Sequence, residues 1–161
     1  PSISSTLRAW PVPLVVFMRV WNGFCTFAIF EAAPLWLVSD KHLGGLAMSE
    51  KQVGTLLARS GLWNVFFLGF IMPFFARKLG ARWVSAICSI IAAATAALLP
   101  YTSTPLLANV FHLLAASMFL SQAAMNIAFT NNAAGQSGRA VVNGVAVTAE
   151  TIGKALGPIV T

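Results

Sequence analysis

Residues 83–100 read WVSAICSIIAAATAALLP, eighteen positions without one charged side chain. Four more long apolar runs fill most of the remaining sequence, at 12–38, 53–76, 106–129 and 141–161. The hydrocarbon core of a bilayer is about 30 Å thick and takes about 20 apolar residues per helix. Because lipid offers the backbone no hydrogen-bond partner, such runs must be helices that bond internally. The sequence therefore predicts an all-α, polytopic transmembrane bundle with five spans.

The composition argues against an ordinary soluble protein. The chain is 58% hydrophobic and 9% charged, whereas soluble domains carry about 25% charged residues. A net charge of +6 raises nucleic acid as a partner, but the basic residues are thinly spread and form no dense patch. We therefore expect the lipid bilayer as a partner, and no nucleic acid.

The two ends of the sequence predict a longer chain. It begins at Pro1 without a methionine and stops at Thr161 inside an apolar run, so we expect a fragment. No signal-peptide pattern occurs. Cys25 and Cys88 lie inside apolar runs, which indicates small buried side chains, and no disulfide framework or metal-ligand spacing occurs. We expect no cofactor and no bound metal.

Lys and Arg are distributed unequally between the two sides of the predicted bundle. With five spans, alternate connections lie on opposite sides. One side carries only basic residues: Arg8, Arg77, Lys78, Arg82 and Arg139. The other side carries both signs: Lys41, Lys51, Arg59, Asp40 and Glu50. Because Lys and Arg favour the cytoplasmic side, we place the first set in the cytoplasm.

Glu31 lies inside the first apolar run. A carboxylate within the membrane is costly, faces the bundle interior or a wet cavity, and often marks a proton or ion path. Burial disfavours its charged form, so it can exchange a proton. The alternative is a residue near the interface that pairs with Arg59 or with a lipid headgroup.

Glu150 and Lys154 are spaced i, i+4 with the acid first, the better orientation for a helical ion pair. The pair is either a structural clamp between helices or a contact that opens during a conformational cycle. Arg19 lies about two turns into the first run, where it either snorkels to the cytoplasmic surface or contacts an anionic substrate.

Several polar side chains inside the runs are candidates for a substrate cavity: Arg19, Asn64, His112, Gln122 and Asn126. An imidazole can exchange a proton near neutral pH, although His112 can equally be a hydrogen-bonded packing residue. The amides either line a polar cavity or bond across helices.

Two further patterns bear on function. Gly153 and Gly157, followed by Pro158, form a G-x-x-x-G pattern that indicates close helix packing. The sequence contains no nucleophile–base arrangement, HExxH, metal-ligand cluster or phosphate-binding glycine loop. We therefore expect that the protein is not an enzyme.

Three stretches resemble motifs of known transporters. Residues 77–82, RKLGAR, resemble the R-x-G-R loop motif of the major facilitator superfamily. Residues 31–46, with EAAPLW, SD and GGL, resemble the D-E-x-x-P-L-W…S-D…G-G-L stretch of zinc-induced facilitator-like transporters. Residues 131–158, with NN, RAVVNG and KALGP, resemble the N-N…R-G-x-x-N-G…K-A-x-G-P stretch of that group. The matches fall in order, and drug:proton antiporters share parts of them.

The resemblance implies most of the C-terminal six-helix half of such a transporter, with the five spans as helices seven to eleven. It implies alternating access between this half and a missing N-terminal half. The transported solute would be a small organic molecule, a metal chelate or an ion, exchanged for protons as antiport or efflux. The alternatives are a uniporter or symporter of the same fold, or a membrane module that does not transport. The membrane, vacuolar or plasma, is left open.

The resemblance also implies roles for particular residues. Glu31 and Glu150, with Lys154 beside the second, are candidates for proton or ion coupling. The cytoplasmic loop and gate would contain Arg77, Lys78, Gly80, Arg82 and Arg139. Two positions depart from the pattern: Phe30 stands where the group has Asp, which reduces a two-acid site to one, and Ala140 replaces the Gly after Arg139.

Overall fold

The computed structural model describes residues 8–160, except for the side chains of 135–137 and 160. Within this range there is no β-strand, and five long helices follow one another: α1 Val12–Val38, α2 Glu50–Leu79, α3 Ala81–Leu98, α4 Pro105–Ala133 and α5 Gly135–Val160. Short 3-10 turns lie at Lys41–Leu43 and Leu99–Tyr101. The all-α prediction is confirmed. Thr161, the last residue of the fifth predicted run, lies outside the described residues.

Four of the described helices are long and apolar enough to cross a membrane: α1, α2, α4, and α3 together with its extension to Tyr101. Helix α5 has 26 residues, about 39 Å of length at about 1.5 Å per residue. It is long enough to span, but Asn143, Glu150 and Lys154 make it more polar than the other four. The chain is a multi-pass membrane protein.

The predicted connection at 130–139 is wrong in extent. Helix α4 continues to Ala133, and α5 begins at Gly135 after one turn residue. Polar side chains suit the end of a span without breaking a helix, so the polar stretch was mistaken for a loop. Across the turn, Asn143 Nδ2 donates a hydrogen bond to Asn131 Oδ1 at 2.7 Å, which joins the two helices in a tight hairpin.

Helix α2 begins with a capping box. The Ser49 backbone N–H donates to Gln52 Oε1 at 2.9 Å, and the Gln52 backbone N–H donates to Ser49 Oγ at 3.4 Å. The two bonds satisfy N–H groups that a helix start would otherwise leave unpaired. The S-x-x-Q pattern therefore positions the N-terminal end of this helix.

Helix α2 changes to π-helical geometry at Phe67–Ile71 and returns to α-helix at Met72–Leu79. Pro73 follows this segment. A proline inside a helix has no N–H to donate and crowds the carbonyl four residues earlier, here that of Gly69. The wider π turn accommodates the proline without ending the helix.

The chain divides into two compact units. One contains the residues up to Ala28 together with those from Gln122 onward, and the other contains Ile29–Ser121. The second unit has an apolar core formed by Ala33, Leu37, Leu46, Met48, Val53, Leu56, Leu99 and Ala108. These residues come from α1, the loop between α1 and α2, α2, the 3-10 turn at Leu99–Tyr101 and α4, so the loop is part of the core.

The loop at 39–49, between α1 and α2, folds back onto the end of α1. The backbone N–H of Ala47 donates to the carbonyl of Ser39, that of Met48 donates to the carbonyl of Leu37, both at 2.9 Å, and Trp36 Nε1 donates to the carbonyl of Gly44 at 2.8 Å. A Cβ on Gly45 would fall on the backbone oxygen of Ser39. The Gly-Gly pair at 44–45 is therefore required for this close fold.

Candidate functional site

In the first unit, α1 and α5 approach each other through glycines. A Cβ on Gly153 would fall on the backbone oxygen of Val20, and a Cβ on Gly157 would lie 2.8 Å from that of Phe24. Gly23 is the corresponding residue on α1, where a Cβ would lie 2.8 Å from the backbone oxygen of Glu150 on α5. The absence of side chains at these positions lets the two backbones touch. The packing predicted from the G-x-x-x-G pattern is present.

A cluster of three charged side chains lies at this contact. Arg19 Nε donates to Glu150 Oε2 at 2.8 Å, and Arg19 Nη2 reaches the same oxygen at 2.5 Å. Lys154 Nζ lies 2.8 Å from Glu150 Oε1. Each carboxylate oxygen therefore has its own cation. We call Arg19, Glu150 and Lys154 the ion cluster.

The three members of the ion cluster differ in exposure. The side chains of Arg19 and Glu150 are 6% and 13% exposed, whereas that of Lys154 is 38% exposed. Lys154 Nζ also lies 5.5 Å from the centroid of the Phe27 ring, within the range of a cation–π contact. Arg19 is the buried cation of the cluster, and Lys154 is the accessible one.

The sequence predicted only part of this cluster. The i, i+4 ion pair of Glu150 and Lys154 is present. Neither interpretation of Arg19, snorkelling to the surface or contact with a substrate, included its partner in the structure. Arg19 is buried against Glu150. The two residues are 131 positions apart, and no local pattern joins them. The available signal in the sequence was that pairing Glu150 with Lys154 leaves Arg19 as a cation within an apolar run and without a carboxylate of its own.

A second polar group lies inside the other unit, between α2 and α4. Ser117 Oγ lies 2.8 Å from Asn64 Oδ1 and accepts a hydrogen bond from Trp63 Nε1 at 3.0 Å. Asn64 and Ser117 are both buried. Asn64 therefore bonds across helices, which is one of the two alternatives that the sequence left open.

His112 lies in α4 of the same unit and is 1% exposed. Neither ring nitrogen has a hydrogen-bond partner among the described residues. The ring meets Phe30 edge-on, with centroids 6.2 Å apart. The interpretation of His112 as a hydrogen-bonded packing residue is therefore wrong. Two unsatisfied nitrogens in the interior cost free energy, which leaves this residue as a candidate for a bound water or solute.

The remaining cavity candidates are placed differently. Gln122 Nε2 donates to Asn126 Oδ1 at 3.3 Å, one turn further along α4. Asn126 is buried, and its Nδ2 has no partner among the residues that the structure describes.

Glu31, the first candidate for proton or ion coupling, is exposed on α1. Within residues 8–160 it makes no ion pair, so the predicted partner Arg59 does not bind it.

Four residues of the predicted cytoplasmic gate, Arg77, Lys78, Gly80 and Arg82, lie at or beside the turn between α2 and α3, whereas Arg139 lies in α5. Gly80 alone separates the two helices and adopts a φ of +80°, a conformation that suits glycine. Lys78 Nζ lies 4.5 Å from the centroid of the Phe74 ring. The described residues show no ion pair for Arg77, Lys78, Arg82 or Arg139. In the described part of the chain, no three His, Cys, Asp or Glu side chains come together as metal ligands.

Five long helices, most of them able to cross a membrane, with charged and polar side chains between them, define a multi-pass membrane protein with internal polar sites. Comparison with known proteins narrows this class. The chain is 29% identical to a probable peptide/nitrate transporter and to the protein Zinc Induced Facilitator 1, both from Arabidopsis thaliana. Each similarity covers 96% of this chain and 33% of the relative.

The protein Zinc Induced Facilitator-Like 1 of the same plant is also 29% identical, over 96% of this chain. The chain spans about a third of the length of the curated relatives it matches. No protein-family profile matches it, and no solved structure matches it significantly. The resemblance to the zinc-induced facilitator group that the sequence motifs indicated is confirmed by these relatives.

Proposed function

We propose that this chain is part of a transporter that moves a small solute across a membrane by alternating access. It forms helices seven to eleven of the complete protein, and the remainder supplies the other half of the solute site. Transporters of this architecture bind solute near the bilayer midplane, between two halves that rock against each other.

The observation that carries the proposal is the ion cluster. Charged side chains within membrane helices are rare, and they mark solute paths, ion paths or proton relays. Here a carboxylate with two cations is held between two helices of a multi-pass chain. That chain is similar over nearly its whole length to proteins named as transporters or facilitators.

The finer proposal is exchange of the solute for protons, as antiport or efflux. Glu31 supports it, because it is a carboxylate within a candidate membrane span that makes no ion pair among the described residues. Glu150 is held by two cations, so it can take up a proton only after those contacts open. Glu31 is therefore the first residue to test for proton coupling.

The test uses the complete protein in proteoliposomes that contain a pH-sensitive dye. A pH gradient is imposed, and nitrate or a dipeptide, the solutes in the name of one relative, is added outside. Solute-dependent proton movement is expected for the wild type, and Glu31→Gln should reduce its rate at least about tenfold. Glu50→Gln is the matched control, since Glu50 is an exposed acid in the first turn of α2.

Full coupled flux in Glu31→Gln would exclude this residue from proton coupling. Solute uptake that ignores the pH gradient would contradict antiport and leave a uniporter. No flux for either solute would call for other solute classes, and no flux for any solute, in protein shown to be folded, would favour a membrane module that does not transport.

A further inference from the structure

The ion cluster carries an unneutralised positive charge. Arg19 and Lys154 contribute two cations, and Glu150 contributes one carboxylate, which both of them share. The net charge of the cluster is therefore +1. An uncompensated charge inside a membrane protein is costly, so the cluster favours the binding of a further anion.

Among the described residues, no second carboxylate pairs with this cluster. The chain contains four acidic residues in total, and the three besides Glu150 are Glu31, Asp40 and Glu50. All three belong to the other compact unit. Within the described residues, Glu150 is the only acid that pairs with Arg19 or Lys154.

The accessible side of the cluster is at Lys154. Arg19 is almost fully buried, whereas Lys154 keeps more than a third of its side chain exposed. An ammonium group has three N–H donors, and one of them serves Glu150 Oε1. The ring of Phe27 lies beside Nζ, and its apolar surface limits competition from water. An incoming anion would therefore meet Lys154 first.

We propose that Lys154 binds an oxyanion, such as a carboxylate, nitrate or phosphate group, and that this group is the anionic part of the transported solute. The assignment to the solute rests on the proposed transport function, whereas the binding site itself does not. The same chemistry can come from a second source, a carboxylate on the part of the complete protein that lies outside this chain. The experiment separates these two sources.

The complete protein is purified in detergent, and its thermal unfolding is followed during titration with nitrate, succinate or phosphate at constant ionic strength in chloride buffer. We expect a saturable rise in the melting temperature for the wild type. Lys154→Gln should weaken the apparent affinity at least about tenfold, equivalent to about 1.4 kcal/mol. Lys154→Arg should retain it. Lys51→Gln, which removes an exposed lysine of α2, is the control for net charge.

Lys154→Gln is expected to fold, because the bonds between Arg19 and Glu150 remain. No saturable effect of any oxyanion on the wild type would overturn the proposal, whether or not the variant folds, and would assign the neutralising group to the protein itself. An unchanged effect in Lys154→Gln would also overturn it. Binding that depends on Lys154, without flux of any solute in proteoliposomes, would refute transport and leave the anion site. Flux without such binding would refute the anion site and leave transport.

Discussion

Replacing Glu150 by Gln is the sharpest test of the ion cluster. Glu150 is the one anion between two cations, and Gln has nearly the same shape without the charge. The variant therefore leaves Arg19 and Lys154 together with no counter-charge. Lys154 can turn toward water because it is partly exposed, but Arg19 is 6% exposed and cannot.

The magnitude follows from this difference in burial. Removing one partner of a buried ion pair costs about 3–5 kcal/mol, because the other charge stays buried and uncompensated. We expect this loss for Glu150→Gln. Lys154→Gln keeps a neutral pair of Arg19 and Glu150, and a partly exposed ion pair contributes less than about 1 kcal/mol. The double variant Arg19→Gln/Glu150→Gln leaves only the accessible cation, so it should be more stable than Glu150→Gln alone.

The measurement is denaturant titration of the complete protein in detergent. It gives the free energy of unfolding of the wild type and hence the loss in each of the three variants. The free energy of unfolding is expected to decrease in the order wild type, Lys154→Gln, the double variant and Glu150→Gln. Equal losses for the two single variants would refute the reasoning, because they would show that Glu150 does not compensate a buried charge. With Arg19→Gln measured as well, a double variant whose loss equals the sum of the Arg19→Gln and Glu150→Gln losses would show that Arg19 and Glu150 act independently.

Two further predictions use the same measurement, and a third uses limited proteolysis. Gly153→Ala should destabilise the protein by about 1–3 kcal/mol, as overpacking does, while Gly144→Ala on the same helix meets no atom within 4 Å and should be neutral; equal effects would contradict close packing of α1 and α5. His112→Leu should leave stability unchanged or raise it by about 1–3 kcal/mol, since unsatisfied buried nitrogens disappear, and a clear loss would indicate a bound partner. Gly45→Ala should destabilise the loop at 39–49 and expose it to protease, whereas Gly54→Ala, which has open space, should not.

The five helices could be predicted from the sequence because each of them corresponds to a long apolar run. A backbone in lipid has no partner but itself, so length and hydropathy decide both the existence and the type of each element. Local chemistry fixed some of the ends as well: the first run and α1 share both ends, and Ser49 with Gln52 begins α2 as the capping pattern predicts. The polar stretch at 130–139 was wrongly predicted to be a connection between helices. Polar residues do not by themselves end a helix, and the chain leaves helical geometry only at the turn residue 134.

The candidate site was predictable only where it is local. Glu150 and Lys154 are four residues apart on one helix, so their ion pair follows from helical geometry. Arg19 lies on another helix, and its bond to Glu150 depends on how closely α1 and α5 approach, which Gly23, Gly153 and Gly157 set. The same holds for His112, whose lack of partners depends on what surrounds it. The sequence by itself determined that this chain enters the membrane and which charges enter with it. Only the tertiary structure decided which charges neutralise each other, because pairing depends on distances of a few ångströms between residues far apart in the chain.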